Sequence, residues 1–125
     1  MKKALLDTDT LINFFKNDLN TIKKSQVYLS EFDFLTISDI TCFEFIKGLE
    51  YRNATKKRLM FDLFTEQNEV LGTTLDSIKI SARIYGDLRR KGITIGTSDL
   101  LIAGIAIQHN LELITNNLAH FRHIE

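Results

Sequence analysis

Lys3-Ala4-Leu5-Leu6-Asp7-Thr8-Asp9-Thr10-Leu11-Ile12 passes from a short apolar stretch through a polar turn into an amphipathic segment. Lys3 to Leu6 reads as a buried β-strand, and Thr8 to Lys16 as a helix carrying Leu11, Ile12, Phe14 and Phe15. Asp7 falls between them, at the carboxyl end of the strand. A carboxylate is rarely left beside buried surface without a cation or donor to offset its lost hydration, and no Lys or Arg adjoins Asp7 in sequence.

Two further acids stand in the same position. Glu44 interrupts Ile40-Thr41-Cys42-Phe43-Glu44-Phe45-Ile46, and Asp99 opens the apolar run Leu100 to Ile107, again with no adjacent Lys or Arg. If the fold gathers Asp7, Glu44 and Asp99 at one point, the missing cation is most simply a metal.

The rest of the chain alternates short apolar strands with helices. Leu19 to Leu29 reads as a second helix, broken near Glu31, and Asp33 to Ile37 as the second strand. Ser38 is an N-cap for a helix to about Tyr51, and Thr55 to Gln67 forms the next. Val70-Leu71 is a brief strand before Gly72. A long helix from Leu75 to about Lys91 ends at Gly92, and Ser98 to Gln108 is a helix apolar on every side. Leu113-Ile114 makes a last clear strand, with an edge strand expected in the final residues. This order predicts an α/β protein of three layers, a short central parallel sheet flanked by helices on both faces, in which sites lie beyond the carboxyl ends of the strands.

At 125 residues, with 44% apolar and 26% charged residues, the chain suits one domain, 1–125, and argues against disorder. Its formal charge is zero, so nucleic acid would have to be held by local basic clusters. Two are present, Lys56, Lys57 and Arg58, and Arg89, Arg90 and Lys91, and solvated helix ends give the same pattern. One cysteine, Cys42, excludes an internal disulfide and fits a reducing compartment. The longest apolar run is far below the roughly 20 residues that span a bilayer, and Met1-Lys2-Lys3 leads into only a short apolar stretch ended by Asp7. The protein reads as cytoplasmic.

Each acid also has a structural reading. Asp7 and Asp9 suit an N-cap and first turn. Glu44 follows Thr41 by three, as in a capping box, with Lys47 one turn on as an ion-pair partner. Asp99 is a first-turn acid after Thr97 and Ser98. The histidines His109, His120 and His123 lack ligand spacing and read as surface residues.

Leu5-Leu6-Asp7-Thr8-Asp9-Thr10-Leu11-Ile12, then Ile37 to Gly48, then Gly96-Thr97-Ser98-Asp99-Leu100-Leu101-Ile102-Ala103-Gly104, then Leu113-Ile114-Thr115-Asn116-Asn117 resemble the motif series of PIN-domain ribonucleases, most closely the VapC-like toxins of toxin-antitoxin pairs. The resemblance runs from Lys3 to about Phe121, in order. It implies that Asp7 and Asp99 hold the metal, that Glu44 is the third acid, and that Thr8 and Thr115 orient these acids. Asp9 matches a position of supporting hydrogen bonds. The family's usual fourth acid is missing, because Thr115-Asn116-Asn117-Leu118-Ala119-His120-Phe121 has the neutral residues Asn117 and His120 at the two candidate positions. A single-metal site is therefore expected, with Asn117 in a supporting role.

The chemistry agrees with these residue types. Hydrolysing a phosphodiester needs a nucleophile generated near neutral pH and stabilisation of charge on the phosphoryl and leaving oxygens, both of which Mg²⁺ or Mn²⁺ supplies. The resemblance implies an endoribonuclease leaving a 5'-phosphate and a 3'-hydroxyl, a small antitoxin as partner, and a homodimer. Two other readings are a degenerate PIN domain that only binds RNA or a partner, favoured by the missing fourth acid, and a haloacid-dehalogenase-like phosphatase, whose Asp-x-Asp-x-Thr loop resembles Asp7-Thr8-Asp9-Thr10 but whose later motifs are lacking. Finally, Leu59, Met60, Phe61, Leu63 and Phe64 spread over an arc of roughly 200°, wider than the stripe of about 100° that one core face requires. Either full burial or an exposed groove for a partner segment explains that excess.

Overall fold

Strand β1 (Ala4–Leu6) shows why the chain folds in layers: its three side chains are all buried, but they divide between two cores. Ala4 and Leu6 face a cluster with Leu11, Tyr28, Ile37, Phe45, Leu49, Phe61 and Phe64, whereas Leu5 faces Ile102, Ile105 and Ala106. Alternation along a strand sends neighbours to opposite faces, so both faces of the sheet must be covered. The computed structural model describes residues 1–115.

After β1 come α1 (Thr8–Phe15), α2 (Leu19–Leu29), β2 (Thr36–Ser38), α3 (Asp39–Tyr51), α4 (Thr55–Gln67), β3 (Glu69–Leu71), α5 (Leu75–Arg90), α6 (Thr97–Gln108) and β4 (Glu112–Ile114). Both ladders are parallel. β1 pairs with β4 (Leu5 opposite Leu113), and β2 with β3 (Ile37 opposite Val70). No ladder joins the two pairs, but β1 and β2 lie side by side, so the strands follow one another in the order β3-β2-β1-β4 within a three-layer α/β architecture. The edge strand expected in the final residues lies outside the described residues.

Local signals account for most boundaries. The Ser38 side chain accepts from Thr41 N–H at 3.1 Å and starts α3, and Thr74 and Ser77 form a reciprocal capping box on α5. Gly92, at φ +76°, follows the end of α5, and Asn17 and Asn53 take the left-handed conformation after α1 and α3. The second strand differs from the expected Asp33 to Ile37: it begins at Thr36 and includes Ser38. Asn68 explains the shift, because its side-chain oxygen accepts from Leu35 N–H at 2.8 Å in place of a strand partner.

α6 is apolar on every side because α5 covers the face turned away from the sheet. The two helices meet through small residues. A Cβ on Gly104 would lie 2.0 Å from Ser81 Oγ and 2.5 Å from the Ser77 carbonyl oxygen. The Ser81 hydroxyl in turn donates to the Leu100 carbonyl at 2.8 Å. Among the described residues, no helix is long and apolar enough to cross a membrane.

On the other side of the sheet, Phe14, Phe15, Phe45, Phe61 and Phe64 pack ring to ring. That cluster takes only part of the apolar excess of α4. Phe61 and Phe64 are buried, but Leu59, Met60 and Leu63 are 62%, 49% and 58% exposed. Met60 and Leu63 border a groove between α1, α2 and α4 that includes Phe14, Leu29 and Leu35.

Candidate functional site

Asp7 is 3% exposed, and each of its carboxylate oxygens has its own task. Oδ1 accepts from Thr10 N–H at 2.9 Å, so Asp7 is the N-cap of α1, as its structural reading expected. Oδ2 accepts from the Thr115 hydroxyl, just beyond β4. The Asp7 N–H donates to the Ile114 carbonyl at 3.1 Å, which extends the β1–β4 pairing to the acid itself. Capping engages one oxygen, and the other is held by a hydroxyl from beyond the neighbouring strand. Among the described residues, no Lys or Arg forms an ion pair with it.

Glu44 reaches the same strand end from α3. The Thr8 hydroxyl, one residue past Asp7, donates to Glu44 Oε1 at 2.6 Å. Thr8 and Thr41 oxygens are 3.2 Å apart, and Ser38 Oγ donates to Thr41 Oγ1 at 3.3 Å. A hydroxyl has one proton, and the Thr8 proton goes to the carboxylate as the better acceptor, so Thr41 donates to Thr8. The result is a hydroxyl chain, Ser38 to Thr41 to Thr8 to Glu44, buried at Ser38 and Thr41 and half-buried at Thr8 and Glu44, with an anion at its end. The capping-box reading of Glu44 does not apply, because α3 starts at Ser38 rather than Thr41. Nor does Lys47 pair with Glu44; its ammonium lies 5.4 Å from the centre of the Phe43 ring.

Asp99 lies in the first turn of α6 and is half-buried. A three-residue link, His109-Asn110-Leu111, joins α6 to β4, which is parallel to β1; the helix therefore runs back against the strands, and its N-terminus lies at their carboxyl ends, the end occupied by Asp7. Asp9, in the first turn of α1, is half-buried beside this region. Asn117 and His120 lie outside the described residues. Among the described residues no three Asp, Glu, His or Cys side chains close into a ready-made metal cage. Mg²⁺ does not require one, since it keeps several waters and takes only one or two carboxylates directly. An all-oxygen set built on a buried, cation-free carboxylate fits a hard cation.

Sequence reasoning missed Thr41, Ser38 and Asp39 as parts of this end of the sheet. Asp39 accepts from Thr73 N–H at 2.9 Å and from the Thr73 hydroxyl at 2.7 Å, which fixes the loop after β3 to the start of α3. Burial, with Asp39 nearby, pushes the Cys42 thiol up, which leaves it a poor nucleophile. The basic clusters divide. Arg58 bonds to Glu50 and Asp62, and Arg90 to Asp87, while Arg89 reaches the Thr94 hydroxyl at 3.3 Å. Lys56, Lys57 and Lys91 are exposed and have no ion pair among the described residues.

A family model described as the PIN domain matches residues 4–125. Among relatives, "Ribonuclease VapC1" of Methanocaldococcus jannaschii is 32% identical, over 98% of this chain and 82% of its own length. The "tRNA(fMet)-specific endonuclease VapC" of Salmonella typhimurium is 34% identical, over 99% of this chain and 93% of its own length. Among solved structures, DNA-bound VapBC from Salmonella typhimurium superimposes with a TM-score of 0.84 at 33% identity, covering 98% of this chain and 92% of that one. VapBC-1 from nontypeable Haemophilus influenzae gives 0.80 at 31%, covering 97% and 91%.

Proposed function

The chain belongs to the PIN-domain family, and from that premise we propose that it is a metal-dependent endoribonuclease, the toxin of a toxin-antitoxin pair. The observation that carries this reading is Asp7: a buried carboxylate at a strand end, met by neutral donors and by no cation among the described residues, with Glu44 drawn to the same place through Thr8. Relatives named as ribonucleases, similar over nearly the whole chain, support it, and the extent of the family match supports one domain over 1–125.

In this reading Asp7 and Asp99 hold Mg²⁺ or Mn²⁺. The ion, when bound, lowers the pKa of its water and neutralises charge on the phosphate. The chain's own residues do the rest. Thr115 and Thr10 fix the two oxygens of Asp7, and the Ser38–Thr41–Thr8 chain holds Glu44 in one rotamer, ready to orient the attacking water and take its proton. Asp9 and Asn117 support the acids. The neutral Asn117 and His120 favour one ion rather than two, and RNA is gripped by cations from the clusters Lys56 to Arg58 and Arg89 to Lys91, in which Arg58 and Arg90 are held by neighbouring carboxylates and Lys56, Lys57 and Lys91 are the exposed members.

The partner in this reading is an antitoxin protein. The half-exposed apolar side of α4, with Met60 and Leu63 beside the groove to α1 and α2, suits an amphipathic segment of such a partner. A second copy of the chain is the other expected partner. The deciding experiment is RNA cleavage by purified protein with Mg²⁺ or Mn²⁺. Internal cleavage that EDTA stops and Asp99→Ala abolishes is the expected result; cleavage that survives either change would overturn the metal-dependent reading.

A further inference from the structure

Glu44, Gly48 and Arg52 occupy successive turns of α3, each four residues apart and so on one face of the helix. With no side chain at Gly48, the Arg52 guanidinium lies back over that position: a Cβ there would be 3.4 Å from Arg52 Nη1. This directs Arg52 along the helix toward Glu44. Both residues line a groove of about 430 Å³ that also takes Lys16, from the end of α1, and Lys57, from the start of α4.

Three cations converging on one groove repel one another and call for an anion. Among the described residues none of the three forms an ion pair, and the one carboxylate lining the groove, Glu44, is bonded to Thr8 instead. Lys16 and Arg52 are C-cap residues, where a positive charge complements the helix dipole. That local role explains each alone. It does not explain why both share a groove with Lys57, which stands at the opposite, positive end of its own helix.

We propose that Lys16, Arg52 and Lys57 form a subsite for RNA backbone phosphates beside Glu44, which holds the strand next to the bond to be cut. This rests on the ribonuclease reading above. A guanidinium laid flat offers a forked pair of donors to phosphate, and two flexible ammonium groups follow the backbone on either side. Of the first basic cluster, Lys57 then belongs to the substrate path, while Arg58 is held by Glu50 and Asp62.

The test measures binding of a fluorescein-labelled RNA stem–loop across a salt series in EDTA, in an Asp7→Asn background, for Lys16→Gln, Arg52→Gln, Lys57→Gln and the triple variant. Each single change should weaken binding several-fold and flatten the log–log salt slope by about 0.7 to 0.9. Lys79→Gln, on exposed α5, should leave both unchanged, and Arg52→Lys should recover part of the loss. With Asp7 intact, the three substitutions should raise KM and leave kcat at saturating RNA unchanged. If the triple variant binds with the parent's affinity and slope, or the parent binds no RNA, the subsite is overturned. Groove-dependent binding by a parent that cuts no RNA in Mg²⁺ or Mn²⁺ keeps the subsite and removes the nuclease reading; cleavage that is indifferent to all three changes does the reverse.

Discussion

Thr8 Oγ1 lies 2.6 Å from Glu44 Oε1, a charge-assisted hydrogen bond between residues 36 apart in sequence that joins the first residue of α1 to the second turn of α3. Thr8 spends its only proton on Glu44, and Thr41 and Ser38 support it from behind. Replacing Thr8 by Val keeps the shape and removes the proton. RNA cleavage should then fall by about 10–100-fold, the range seen when a group orienting a metal-site residue is lost. The loss should fall on kcat rather than KM, and Thr8→Ser should recover most of it. A Thr8→Val protein with the parent's kcat would show that the bond does not position Glu44.

Asp7 combines a helix cap with a proposed metal carboxylate, and two substitutions separate the roles. Asp7→Asn retains a side-chain oxygen for Thr10 N–H, so its melting temperature in EDTA should match or exceed the parent's while cleavage is abolished. Asp7→Ala loses the cap as well and should cost about 1 kcal/mol of stability. If Asp7→Asn still cuts RNA, Asp7 is a cap alone.

How far these features were legible in the sequence depends on the range of the interaction behind each. The limits of α4, Thr55 to Gln67, follow from its apolar period, and the start of α3 at Ser38 from local capping; both agree with the structure. β2 was misplaced because a three-residue strand carries no period to fix its register, and because the Asn68 side chain that ends it on one side is 33 residues from Leu35. Asp7 at a strand end was readable from Lys3 to Ile12 alone. The bond from Thr8 to Glu44 was not, since it depends on β1 and β2 becoming neighbours. The stripe of Glu44, Gly48 and Arg52 was readable, because a spacing of four on a helix is a local signal, but only the groove gives it meaning.

Gly104 fixes the approach of α6 to α5, and with it the position of Asp99 five residues earlier. A methyl group there meets Ser81 Oγ and the Ser77 carbonyl, and the second is backbone that no rotamer change can move. Gly104→Ala should therefore cost about 1–3 kcal/mol, as overpacking does, even though Ala is the better helix former. Denaturant unfolding checks this. Adding Ser81→Gly should recover only part of the loss, because the clash with the carbonyl remains; full recovery would place the conflict in the side chain alone.

Lys3 joins the N-terminal strand to β3. Its ammonium lies 2.8 Å from Glu69 Oε1, which also accepts from the Thr36 hydroxyl at 2.9 Å, and the Lys3 hydrogen bond is the main reason that the Glu69 carboxyl is held below its usual value. A lowered carboxylate pKa contributes stability above the unfolded value, about 4.3, and loses it as pH falls through the lower folded value. The pair is partly exposed, so its worth is about 0.2–1 kcal/mol. Lys3→Gln should accordingly be less stable than the parent at pH 7, and the gap should narrow as the solution is acidified below the ordinary glutamate range. It should not close fully, because the Lys3 ammonium also lies 5.5 Å from the centre of the Phe34 ring, a contact that does not depend on Glu69 being ionised. Melting curves of parent and variant between pH 7 and pH 3 separate the two contributions. A gap that stays constant across that range would assign the stabilisation to Phe34 and none of it to the ion pair.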